Sequence, residues 1–243
     1  MSDALIIAEG VGVVFQSDAR KFAVFIDHLT LEPGDTLMLH APSGSGKSTV
    51  LSLLGTALRP TRAERFEVVL KDRSRVDLAR AWRDGDESTL IRARRDFFGY
   101  ILQTGALAPF LTVAENIEAP ATFAGRKLAS LNDLAERLQI RDLLGSLPAQ
   151  LSVGQRQRVA IARALSMDPL ILLADEPTAS VDAELGNEID SMLAEAVSQG
   201  GTAMVLASHR VDASTWAACP KAAYRTEHGD GMTTSVFGYQ RAA

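Results

Sequence analysis

Residues 41–49 read Ala-Pro-Ser-Gly-Ser-Gly-Lys-Ser-Thr, directly after the apolar run Thr36-Leu37-Met38-Leu39 and directly before Val50-Leu51-Ser52-Leu53-Leu54. These stretches favour, in turn, a buried strand, a tight loop of small residues and an amphipathic helix. In that order they build a phosphate-binding loop. Small side chains let the backbone curl so that several N–H groups point inward, and the helix N-terminus adds roughly half a positive charge facing the phosphates. Lys47 is placed to bridge the β- and γ-phosphates of a nucleoside triphosphate, and the Ser48 hydroxyl to ligate Mg²⁺. With Ser43, Gly44, Ser45, Gly46 and Thr49 they form the candidate nucleotide-binding set. Such loops normally open with glycine, and Ala41 stands there instead; Gly44, Gly46, Lys47 and Ser48 keep the rest of the pattern.

The chain has 243 residues, 47% of them hydrophobic, which suits one large domain or one domain with an inserted lobe. The longest apolar run, Pro169-Leu170-Ile171-Leu172-Leu173-Ala174, is far short of a bilayer span, which needs about 18 or more residues, and suits a buried strand. Met1-Ser2-Asp3-Ala4 lacks the basic start and apolar stretch of a signal peptide, so the expected location is cytoplasmic. A single cysteine, Cys219, rules out an internal disulfide framework. Net charge is −5, which disfavours a general nucleic-acid-binding surface. Residues 59–95 run against that balance with 11 Lys/Arg and 7 Asp/Glu, a segment that suits a solvated surface, lipid headgroups or an acidic partner.

Strand composition marks residues 4–8, 22–26, 170–174 and 202–207, and residues 62–78 alternate like an exposed hairpin. Leucines at 128, 131, 134, 138, 143 and 144 predict helix over 128–145, and a helix is expected near 183–199. Strand, helix, strand in that order predicts an α/β fold with a parallel core. The whole chain, 1–243, reads as a single domain with its core at about 1–100 and 164–243 and a mainly helical lobe at about 104–163.

Further motifs follow in a fixed order. Leu151-Ser152-Val153-Gly154-Gln155 precedes an Arg-rich amphipathic stretch, 156–165. Leu170-Ile171-Leu172-Leu173-Ala174-Asp175-Glu176 is an apolar strand bringing two carboxylates to its end, followed by Pro177-Thr178-Ala179-Ser180-Val181-Asp182. His209 stands just past the next strand, and Gln103 follows Phe98-Gly99-Tyr100-Ile101-Leu102. Together these segments resemble the ABC-type ATPases along nearly the whole chain: phosphate loop, Q-loop glutamine, signature motif (usually Gly where Val153 sits), Walker B strand, D-loop and switch histidine. Leu111-Thr112-Val113-Ala114-Glu115-Asn116-Ile117, with Gly105-Ala106-Leu107-Ala108-Pro109 before it, is most similar to the group serving lipoprotein release, macrolide export and cell division.

The resemblance implies a P-loop NTPase core with a parallel sheet, an antiparallel β subdomain and an inserted helical lobe. It implies ATP and Mg²⁺ as cofactors, with Ser48, Gln103 and Asp175 about the metal. Glu176 would polarise the attacking water, with His209 and Gln103 beside it. Phe15 occupies the place of an aromatic that stacks on adenine, although a core position suits it as well. The implied assembly is a head-to-tail homodimer in which Ser152, Val153, Gly154 and Gln155 of one copy face the γ-phosphate held by the other, with Asp182 in the D-loop. The signature segment is itself a small-residue anion site at a helix start, without a phosphate loop of its own beside it, so two half-sites must meet. Transport would require a membrane-spanning permease, placing the chain on the inner face of the cell membrane; an apolar groove around Leu107, Phe110, Leu111 and Phe123 is the expected dock. Two other readings stand beside transport: a mechanical regulator of the cell-division type, and a nucleotide-binding subunit with reduced hydrolysis, to which Ala41 and Val153 point and against which Lys47, Glu176 and His209 argue.

Overall fold

A computed structural model describes residues 4–16, 21–70, 74–103, 105–125, 128, 130–179, 181–209, 215–229 and 231–240. Met1-Ser2-Asp3, Lys71-Asp72-Arg73 of the basic segment, residue 104 at the start of the expected lobe and Ser180 of the stretch after the paired carboxylates lie outside the described residues.

The chain opens with β1 (Ile6–Gln16) and β2 (Lys21–Leu31), then β3 (Thr36–Leu39), which leads through residues 40–46 into α1 (Lys47–Leu54). The hairpin β4 (Arg65–Val69) and β5 (Arg75–Asp77) precedes α2 (Leu78–Asp84), α3 (Glu87–Asp96) and β6 (Phe98–Ile101). Helices α4 (Val113–Phe123), α5 (Leu131–Arg137) and α6 (Val153–Leu165) fill the stretch before β7 (Ile171–Asp175). Then come α7 (Ala183–Gly200), β8 (Ala203–Ala207) and a closing hairpin, β9 (Ala223–Gly229) and β10 (Met232–Tyr239).

Two sheets form among the described residues. β3, β8, β7 and β6 lie side by side in that order, all parallel. The second sheet runs β5-β4-β1-β2-β10-β9, antiparallel throughout except for the β2–β10 pair. The parallel strands are apolar on both faces because helices cover both, and their period of two divides the side chains between two cores. Leu37, Leu39, Ile171, Leu173, Val205 and Ala207 pack with α1 and the antiparallel sheet. Met38, Ile101, Leu172, Ala174, Met204 and Leu206 pack with α4, α6 and α7.

Three features differ from the sequence-based reading. The 62–78 hairpin forms, but it is half-buried, because its alternation sends Phe66, Val68 and Val76 into the first core. The leucine-rich 128–145 stretch is not one helix: α5 ends at Arg137, Gln139 adopts φ 55°, and a short 3-10 turn at Arg141–Leu143 follows. Residues 223–239 pair as strands although β9 carries charged residues at Arg225, Glu227 and His228 and is mostly exposed, which hides any apolar alternation.

Candidate functional site

Parallel strands deliver their C-terminal ends to one edge of a sheet, where an open α/β sheet forms its binding crevice. Four of the predicted segments lie just beyond those ends: the loop after β3, Gln103 after β6, Asp175 and Glu176 at the end of β7, and His209 after β8. They meet around one cavity of about 520 Å³, lined by Phe22, Ser43, Gly44, Gly46, Lys47, Ser48, Thr49, Gln103, Asp175, Glu176, Ala179 and His209.

The loop geometry depends on two glycines. Gly44 has φ 77°, and Gly46, which caps α1, has φ 98°. A Cβ on Gly46 would also stand 2.5 Å from Val24 Cγ2, so this position is closed to side chains on both conformational and steric grounds. No side chain caps α1, and the N–H groups of Gly44, Gly46, Lys47, Ser48 and Thr49 have no hydrogen-bond partner among the described residues. Ser45 Oγ is buried and likewise without a partner there. A helix start leaves its first N–H groups without intrahelical partners, and this row, on residues that line the cavity, fits a polyanion with several oxygens.

Lys47, only 7% exposed, donates from Nζ to the carbonyls of Ala41 at 2.9 Å and Pro42 at 3.3 Å. Its ammonium therefore sits over the curl of the loop. The Ala41 methyl group packs into the first core while its carbonyl serves Lys47, which explains how alanine replaces the usual glycine without loss of the loop shape. The Lys47 Nζ also lies 3.3 Å from His209 Nε2, which is 3.2 Å from Glu176 Oε1 and 3.4 Å from Ser43 Oγ. One ring nitrogen cannot accept from Lys47 and donate to Glu176 together, so the tautomer decides which contact is a hydrogen bond. Glu176 has φ 48°, a left-handed conformation costing about 1–3 kcal/mol in a residue other than glycine and found mainly where function demands it. Its N–H, donated to the Ala207 carbonyl at 2.9 Å, holds the turn against β8.

A carboxylate 3.2 Å from an imidazole beside a phosphate-binding loop can orient and polarise a water molecule. Among the described residues no three His, Cys, Asp or Glu side chains cluster as an all-protein metal cage. The Ser48 hydroxyl, Gln103 and Asp175 do line the cavity, a donor set suited to Mg²⁺, which takes few protein ligands and completes its shell with water and phosphate oxygens. Two carboxylates facing one ammonium also leave the cavity with surplus negative charge for a divalent cation to offset. Below it, burial pushes the Tyr100 hydroxyl above its usual pKa and the charge of Asp175 reinforces that shift, against a hydrogen bond with Ser52.

The signature residues are placed elsewhere. Ser152 caps α6: its Oγ accepts from Gln155 N at 3.3 Å, and its N–H donates to Gln155 Oε1 at 2.8 Å. Val153 is 45% exposed, and Gly154 is buried against Leu185. None of residues 152–155 lines the cavity. Asp182 caps α7 by accepting from Leu185 N at 3.0 Å and is not a lining residue either. Phe15, 41% exposed, does not line the cavity, whereas Phe22 does. The two are directly opposite in the β1–β2 ladder and so share a face. Phe22 and Ala179 were not foreseen; for Phe22 the signal was the hairpin register, which puts it beside Phe15. Of the four residues expected to form an apolar groove, Phe123 lines a cavity of about 460 Å³ with Ile91, Phe98, Tyr100, Pro120 and Met167, while Leu107 packs against the second core.

A family model described as ABC transporter matches residues 26–179. The macrolide export ATP-binding/permease protein MacB of Shewanella sp. (strain W3-18-1) is 36% identical over 222 residues, 89% of this chain and 33% of that protein. The chain thus spans about a third of the length of such relatives. MJ0796, an ABC transporter ATP-binding protein of Methanocaldococcus jannaschii, is 35% identical over 193 residues, 76% of this chain and 78% of that protein. A solved dimeric structure of MJ0796, a post-hydrolysis state bound to ADP and Pi, is similar with a TM-score of 0.69 and 30% identity, covering 86% of this chain and 89% of that one.

Proposed function

The chain belongs to the ABC transporter family, and we propose that it is the nucleotide-hydrolysing engine of an export system, working as an ATP-clamped pair of copies beneath a membrane-spanning partner. It is an ABC ATPase domain with relatives in export systems. The observation that carries the finer reading is the convergence at the free helix start, where His209 lies 3.3 Å from Lys47 and 3.2 Å from Glu176, with residues 152–155 outside that cavity.

In this reading the free N–H groups of the loop and Lys47 bind the β- and γ-phosphates, and Phe22 and Phe15 form the apolar side of the base. Ser48, Asp175 and Gln103 would hold Mg²⁺, which would neutralise charge on the phosphates. Glu176 and His209 hold the attacking water in line. Ser152 and Gly154 of a second copy close the site, their helix start aimed at the terminal phosphate. MacB relatives are named as joined ATP-binding and permease proteins, and dimeric MJ0796 cassettes are known, which supports both a membrane partner and a two-copy assembly. Among the described residues no helix is long and apolar enough to cross a membrane, so the reading places the permease on another segment or chain and this domain at the inner face of the membrane.

The test is a pair of substitutions with opposite signatures. Lys47→Ala removes charge-assisted hydrogen bonds of about 1.5–3 kcal/mol and weakens ATP binding by about 10–100-fold. Glu176→Gln keeps ATP affinity and lowers turnover by about 100-fold or more. Unchanged affinity in the first, or unchanged turnover in the second, contradicts the proposed roles.

A further inference from the structure

Helix α1 turns one stripe of small residues toward β6 and β7. Ser48, Ser52 and Gly55 follow at i, i+4 and i+7, which puts them on one face. Register decides which strand residues meet that stripe. Tyr100 stands opposite Leu173 in the β6–β7 ladder. The period of two turns Asp175, two residues on from Leu173, to the same side of the sheet. Tyr100 and Leu173 both pack in the first core. The helix closes on them at its C-terminal end, where a Cβ on Gly55 would stand 2.8 Å from Leu173 Cδ1 and 3.3 Å from Tyr100 Cε2. Gly55 has an ordinary φ of −75°, so closeness and not conformation excludes a side chain there.

At the middle of the stripe the Tyr100 hydroxyl hydrogen-bonds the Ser52 hydroxyl and stands in the field of Asp175. Either hydroxyl can donate. Burial pushes Tyr100 above its usual pKa, so a neutral O–H and not a second anion faces this region. The contact crosses from α1 to β6 one turn after Ser48, beside the gap across which Ser48 and Asp175 line the nucleotide cavity. The Tyr100 ring also lines the 460 Å³ cavity with Phe98 and Pro120, so packing does not enclose it on that side. For stability alone, two apolar groups of the same shape would serve nearly as well as a hydrogen-bonded pair. What the two hydroxyls add is a fixed spacing between helix and strand.

We infer that Tyr100 is a positioning residue for the metal ligands: its hydroxyl, through Ser52, sets where Ser48 on α1 stands relative to Asp175 on β7. Mg²⁺ demands a near-ideal octahedral shell at about 2.0–2.1 Å, so a small displacement of one ligand weakens it. The phosphate contacts from Lys47 and the row of N–H groups are several and charge-assisted, and tolerate such a displacement better. Loosening the Tyr100–Ser52 contact therefore lowers the contribution of Mg²⁺ to nucleotide binding and spares metal-free binding. This rests on the proposed function, in which Ser48 and Asp175 hold Mg²⁺.

Calorimetry on the whole chain with a non-hydrolysable ATP analogue, in Mg²⁺ and in excess chelator, reads that split without turnover. Tyr100→Phe keeps the ring and lowers the Mg²⁺-dependent gain in affinity by about threefold or more, while affinity in chelator stays within about twofold. Ser52→Ala has the same effect, and since alanine is the better helix former, its loss cannot come from a weaker helix. It also serves as the second variant should Tyr100→Phe fold poorly. The double variant loses no more than either single one beyond about twofold, because both remove one contact. A Mg²⁺ gain unchanged in both variants, losses that multiply in the double variant, or equal losses with and without Mg²⁺ overturns the inference and leaves the proposed function standing. A wild-type chain whose affinity for the analogue ignores Mg²⁺ overturns the metal assignment in the proposed function, and this inference with it.

Discussion

Gly46→Ala tests whether the phosphate loop is shaped by backbone conformation and close packing together. Gly46 has φ 98° and ψ 18° as the cap of α1, and an added Cβ would lie 2.5 Å from Val24 Cγ2 and 3.3 Å from Cγ1. Val24 is fully buried in β2 and cannot swing into solvent. The left-handed conformation costs an alanine about 1–2 kcal/mol and the overpacking about 1–3 kcal/mol, together about 2–5 kcal/mol. That is a large part of the roughly 5–15 kcal/mol that holds a domain folded. Urea denaturation without nucleotide is the assay, and with a slope of about 1–3 kcal/mol per molar the midpoint should fall by about 1–3 M. Adding Val24→Ala removes the clash but not the conformational cost, so the two substitutions together should destabilise by about 1–3 kcal/mol less than their sum. A shift below about 0.3 M, or simple additivity, refutes the packing argument. Gly154→Ala is the contrast: its Cβ meets Leu185 Cδ2 at 2.3 Å, the free end of a half-buried side chain that can turn away, so its stability cost stays below about 1 kcal/mol.

Other outcomes follow from the same geometry. Ser152→Ala deletes the cap of α6 and lowers stability by about 1 kcal/mol in chemical denaturation, leaving ATP affinity of the isolated copy unchanged. Ile91→Asp and Phe123→Asp, at positions 54% and 84% exposed beside the 460 Å³ cavity, abolish copurification with a membrane-spanning partner while sparing basal ATPase activity; retained copurification rejects that face as the dock. Asp86 caps α3 and is held at a pKa of about 2 by hydrogen bonds from Thr89 and Ser88. A carboxyl depressed on folding stabilises above its unfolded pKa and loses that contribution as pH falls through the folded one, so the stability gap between the wild type and Asp86→Asn closes between about pH 4 and about pH 2 in denaturation series.

The nucleotide loop, the paired carboxylates and His209 were legible because each sits at the end of a short apolar strand, and a parallel sheet gathers such ends without further instruction. Ala41 was legible as a departure; that its methyl group joins the core and its carbonyl still serves Lys47 is decided by tertiary packing, which the local sequence does not carry. β9 was hidden because an exposed strand carries no apolar alternation, and α5 was overextended because leucine spacing cannot reveal the left-handed Gln139 that stops it. Phe22 went unnoticed in favour of Phe15, although a hairpin register sets the two side by side. Arg163 and Asn116 lay inside recognised motifs, yet Arg163 donates to the Ala106 carbonyl 57 residues back and Asn116 accepts from the Ala108 N–H, partners that could not be read along the chain.

The most direct measurement is the mass of Glu176→Gln in solution by light scattering, with and without Mg²⁺ and ATP. If the residues outside the cavity complete the site of a second copy, ATP converts the variant to a stable species of twice the chain mass, and adding Gly154→Asp, which places a carboxylate at the phosphate-facing helix start, returns it to the single-chain mass. A variant that binds ATP yet keeps the single-chain mass throughout, or a doubled mass indifferent to both ATP and Gly154→Asp, contradicts the ATP-clamped pair.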